Sequence, residues 1–110
     1  MPYKKFKVEI NRLLVKSQAA GGYEISFTDK EDIGTAHARC TYHIAHRWCR
    51  FSFNTKLVKD KNINPISAAK HEFGHFLMAR MDWLAGCRYI AESETTEETE
   101  NFARIMERLL

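Results

Sequence analysis

The chain has 110 residues, the length of one domain, and its 45% hydrophobic and 28% charged residues are an ordinary globular composition. That length leaves no room for a second core, and no apolar run approaches the roughly 18 residues of a membrane span. The net charge of +3 is unevenly spread: residues 91–110 hold six acids against two bases, a net of −4, which leaves +7 on the rest. Such a body is compatible with an anionic partner, nucleic acid included, although a solvated mixed-charge surface has the same composition.

The first residues, Met1-Pro2-Tyr3-Lys4-Lys5-Phe6-Lys7, lack the apolar core of an export signal, so a cytoplasmic location is expected. Cys40, Cys49 and Cys87 are odd in number and form no Cys-x-x-Cys pair. This argues against a disulfide framework and against a thiolate zinc site. All three read as small buried residues.

In chain order, Phe6, Ile10, Leu13 and Leu14 recur at helical spacing and predict an amphipathic helix over about 3–18, ended by Ala20-Gly21-Gly22. Tyr23, Ile25 and Phe27 alternate with polar residues as in a strand. Ala36, Ala38, Cys40, Tyr42 and Ile44 then share one face, with His37, Arg39, Thr41 and His43 on the other. Cys49, Phe51 and Phe53 alternate with Trp48, Arg50 and Ser52. The two runs predict a hairpin turning near Ala45-His46. Lys59 to Asn62 reads as a loop.

Asn64-Pro65 is a strong helix start, with Asn as cap and Pro at the first helical position. The helix is expected to run to about Arg80 or Met81. Asp82 to Glu92 reads as irregular, with Gly86 as breaker, and Thr95-x-x-Glu98 as a capping box opening a last helix. The expected fold class is α+β, one domain over 1–110. It has an N-terminal helix, a small three-stranded, mostly antiparallel sheet, and two C-terminal helices.

The chemistry concentrates in the first of those two helices. His71-Glu72-Phe73-Gly74-His75 reads His-Glu-x-x-His. Residues four apart lie on one helix face, so His71 and His75 can share one Zn²⁺, and Glu72 is placed to serve as general base toward a metal-activated water. A catalytic zinc takes three protein ligands and leaves one position open. No histidine follows His75, so the third ligand is sought among the acids near the last helix. Glu97 is preferred, because Asn101 four residues on can hydrogen-bond the back of a ligating histidine. Glu98 is the alternative, because it lies in line with Phe102, Ile105 and Leu109 and so points inward. Glu94 is a weaker choice.

His71, Glu72, His75, Glu97 and Asn101 together resemble the gluzincins. These are zincin metallopeptidases whose third ligand is a glutamate in a Glu-x-x-x-Asp or Glu-x-x-x-Asn pair. The pattern is similar to minimal gluzincins and the ImmA/IrrE family, and the hairpin before the histidine helix resembles SprT-like domains, apart from the missing third histidine. Small domains of this kind are similar to phage-encoded metallopeptidases.

The resemblance implies a zincin-like core, Zn²⁺ held by His71, His75 and Glu97, and hydrolysis of peptide bonds in a protein or peptide substrate. It also implies an edge strand of the 36–54 hairpin that takes substrate backbone as an added strand, and an oxyanion donor for which Tyr89, Arg88 and His43 are available. The competing expectation is a zinc-stabilised binding module that engages a protein or DNA-bound partner without cleaving it. Arg39, Arg47, Trp48 and Arg50 in the hairpin motivate it.

Overall fold

A computed structural model of the chain describes residues 1–30, 36–86 and 91–109, the side chain of Arg80 excepted. The elements are α1 (Pro2–Ser17), β1 (Glu24–Asp29), β2 (Ala38–His43), β3 (Trp48–Phe53), α2 (Thr55–Asp60), α3 (Pro65–Ala85) and α4 (Glu92–Leu109). This is the expected α+β class. No helix among the described residues is long and apolar enough to cross a membrane.

The sheet departs from the expected, mostly antiparallel form. Its order is β1-β3-β2, with β3 antiparallel to β2 and parallel to β1. The cause lies at the C-terminal end of β3. Lys30 N donates to the Phe53 carbonyl at 2.8 Å, and Asn54 N donates to the His37 carbonyl at 2.9 Å. The chain between β1 and β2 is thereby pinned at both ends to that end of β3. β1 and β2 lie on opposite sides of β3, which is central. The hairpin turn spans Ile44 to Arg47, closed by Arg47 N on the Ile44 carbonyl at 3.2 Å, with Arg47 at φ 54°.

The alternation read from the sequence holds. Ile25, Phe27, Ala38, Cys40, Tyr42, Cys49, Phe51 and Phe53 fall on one face in the observed register. That face meets α1 and α3. Phe53 packs against Phe6 of α1 with ring centroids 4.8 Å apart, and Phe51 lies between Phe27 at 5.8 Å and Phe76 of α3 at 6.0 Å. Phe6, Phe51 and Phe53 are fully buried. Complete burial of such side chains contributes about 1.5–3 kcal/mol each.

Three boundaries differ from expectation. A short helix, α2, stands where the chain reads as a strand end and loop. Asn54 caps it by accepting from Leu57 N at 3.0 Å, and Thr55 is fastened to Asp29 through both its N–H and its hydroxyl. The histidine helix continues past Met81 to Ala85, since no breaker precedes Gly86. The last helix begins at Glu92 rather than Thr95. Glu92 and Glu94 occupy its first turn, where negative charge is favoured, and Thr95 is interior, its carbonyl accepting from Thr99 Oγ1. The predicted start of α3 is realised, with Asn64 accepting from Ile66 N at 2.9 Å.

Candidate metal centre

α3 lies against β2, the strand at one edge of the sheet, and its histidine turn faces that edge. His71 and His75 are both exposed, one turn apart, with their Nε2 atoms 3.2 Å from each other and the rings nearly perpendicular at 81°. Two nitrogens bound to one tetrahedral Zn²⁺ at about 2.0–2.1 Å stand about 3.3 Å apart. The pair therefore fits two bonds of such an ion. Glu72, between them in sequence, is only 5% exposed.

These three residues form one wall of an open cleft of about 440 Å³. Residues 36–40 form the other. Because the strand is met from its edge, residues of both sheet faces line the cleft: Ala38 and Cys40 from the core side, His37 and Arg39 from the outer side. Beyond His75 the groove continues as a second hollow of about 390 Å³ lined by Tyr42, Met78, Met81, Asp82 and Ala85. There the Tyr42 hydroxyl donates to Asp82 Oδ2 at 2.6 Å. This bond, then burial, then the Asp82 charge, push the Tyr42 hydroxyl up to about 12.

The backbone of β2 is also arranged for use. In an antiparallel ladder, alternate residues turn both backbone groups toward the partner strand and the rest turn them away. His37 bonds to Asn54, so Arg39, Thr41 and His43 face β3 by the same alternation, and Ala38, Cys40 and Tyr42 direct their N–H and C=O outward. Among the described residues no strand pairs with that edge.

Cys40 sits at the cleft wall with its Sγ 3.4 Å from Cys49 Sγ. The contact with Cys49, followed by burial and the nearby Cys49 and Glu72, pushes the Cys40 thiol well up. The thiol is turned to its neighbour strand.

The expected third ligand is not brought to the histidine pair. Among the described residues no group of three His, Cys, Asp or Glu is placed to hold one metal ion. Glu97 is exposed on α4. Glu98 is only 8% exposed and, with Asn101, lines a small hollow of about 80 Å³ beside Ala19, Tyr23, Phe76 and Leu77. The inward direction expected of Glu98 is realised, but toward the α1 side of the core. Glu94 is exposed.

His43 lies away from the cleft, its ring against His46 and Trp48 on the outer sheet face. Tyr89 and Arg88 lie outside the described residues, as does Cys87. The cleft residues that motif reading missed are His37 and Tyr42; Arg39, which also lines it, reads from the sequence as part of a basic hairpin. Their alternation was visible, but which strand forms the edge beside α3 was not.

No protein-family model, curated protein or solved structure matches this chain.

Proposed function

We propose that this chain is a zinc-dependent metallopeptidase. The observation that carries the reading is the His71–His75 pair, at metal-sharing distance beside buried Glu72, in a cleft walled by an unpaired strand edge. His71 and His75 would hold Zn²⁺. The remaining protein ligand is assigned by resemblance to Glu97, with Glu98 the neighbouring choice. Zn²⁺ bound there supplies Lewis acidity, which polarises a carbonyl and lowers the pKa of water.

The chain's own groups supply the rest. The outward N–H and C=O groups of Ala38, Cys40 and Tyr42 bind an extended peptide as an added strand and lay its backbone along the histidine turn. Glu72 accepts a proton from the water that attacks the scissile carbonyl. It returns that proton to the departing amide nitrogen, so the C–N bond breaks, and the remaining water proton passes from the new carboxyl group to the amine, giving carboxylate and ammonium. Its burial on the helix side of the cleft keeps the carboxylate fixed relative to both imidazoles.

The test is cleavage of a panel of unfolded and folded proteins by the zinc-loaded chain beside its Glu72→Gln variant. The variant keeps the fold and the metal, and its rate is expected to fall by about 10²–10⁴. Equal cleavage by both forms sinks the reading. Metal content of His71→Ala, His75→Ala, Glu97→Ala and Glu98→Ala identifies the ligands, and the two histidine variants are expected to lose zinc.

A further inference from the structure

The sheet has a second, outer face, which meets the cleft only along its β2 edge, at His37 and Arg39. Helices α1 and α3 cover the side carrying Phe51 and Phe53. The opposite side presents three rows across the strands: Glu24, Trp48 and His43; Ser26, Arg50 and Thr41; Thr28, Ser52 and Arg39. Glu24, Ser26, Arg39, Thr41, His43 and Arg50 are exposed, Trp48 and Thr28 half-buried, and Ser52 buried.

Its rings are organised. His46 lies 4.4 Å from His43, His43 lies 6.0 Å from Trp48 at 24°, and the Arg50 guanidinium sits over the Trp48 ring at 5.8 Å. His46 N donates to His43 Nδ1 at 3.2 Å, which fixes the turn end of the row. Arg47 extends the positive charge past the hairpin, near Gly22. Glu24 is the one acid among the strand positions just named.

We propose that this face is a binding platform for single-stranded nucleic acid. Flat aromatic faces flanked by arginines suit unpaired bases, which stack while the backbone phosphates meet the cations. A duplex hides its base faces and would use only the charge. Arg39, Arg47 and Arg50 against Glu24 leave this face positive, which matches a polyanion.

The experiment is fluorescence anisotropy of a labelled oligothymidylate of about twelve nucleotides at about 50 mM salt, with the same length of duplex and heparin as competitors. Single strands are expected to bind at least tenfold tighter than duplex. The logarithmic salt slope is expected near −2, about 0.7 per arginine–phosphate contact for three arginines. Trp48→Leu should weaken binding by about tenfold, the loss of one stacked base. Arg50→Gln should flatten the slope by about 0.7. Glu24→Gln should tighten binding, and serves as the arm that survives if Trp48→Leu fails to fold.

In a Trp83→Phe background, where Trp48 is the remaining tryptophan, oligonucleotide should quench its emission. No binding at low salt overturns the proposal. So does equal binding of duplex and heparin with no quenching, which marks a plain polyanion surface. Glu72→Gln binds like the parent chain, so the result stands apart from peptide hydrolysis.

Discussion

At the scale of single residues, the cleft separates what local spacing specifies from what only three-dimensional packing supplies. Helical geometry alone brings His71 and His75 together, so the pair was legible from four-residue spacing. Tyr42 and Asp82 were not, because their contact joins a strand to the last turns of a helix that extends beyond its expected end near Met81. That contact has a titration of its own. The folded chain holds the Tyr42 proton more tightly than the unfolded chain, whose tyrosine ionises near the ordinary 10.0. Its contribution to stability is therefore complete below pH 10 and fades as pH rises toward about 12. Absorbance titration of tyrosinate is expected to show a late step near 12. Tyr42→Phe removes that step, and Asp82→Asn moves it down. A late step unchanged in both variants would assign it elsewhere.

Elements were legible where a cap or a long period marks them. Asn64-Pro65 announced α3, and strand alternation gave the inner and outer faces of all three strands. The six residues of α2 are too few to show a period, and its Asn54 cap closes a strand as well as opening a helix. Thr95 and Glu98 matched a capping box but sit inside α4, since two earlier glutamates already favour its N-terminus.

Two substitutions weigh these local terms in α3. Asn64→Ala removes the bond to Ile66 N and is expected to cost about 1 kcal/mol, or roughly 4–8 °C in Tm. Gly74→Ala runs the other way. A Cβ built there meets nothing within 4 Å, so the helix should gain about 0.5–1 kcal/mol. Thermal unfolding of both checks the signs. If Gly74→Ala stabilises yet slows cleavage, the bare backbone at that turn serves substrate approach.

For the whole molecule, the placement of α4 is what the sequence hid most. Its amphipathic pattern showed that it packs, but not on what. It lies on α1 and α3, with Arg108 donating to the Ser17 carbonyl at 3.1 Å. Glu98 and Asn101 go with that packing, lining the hollow beside Ala19, Tyr23 and Phe76. A ligand that binds only the folded chain stabilises it by mass action. At a hundredfold excess over its dissociation constant, Zn²⁺ should add about 2.7 kcal/mol, a Tm rise of roughly 10–20 °C. The rise should survive Glu72→Gln and vanish in His71→Ala. An unchanged Tm on adding zinc or chelator would contradict metal binding at this site.

The central position of β3 also orders the assembly of the sheet in time. Of the three strands it is the last along the chain, yet both others depend on it for their ladders. β2 meets it through a short turn, a local closure that is kinetically cheap. β1 must wait for the finished β3, because Glu24 and Trp48 are distant in sequence and pair in parallel. During synthesis, β1 therefore has no partner until Phe53 has emerged. The hairpin carrying the cleft edge is expected to form before the parallel pairing of β1 with β3.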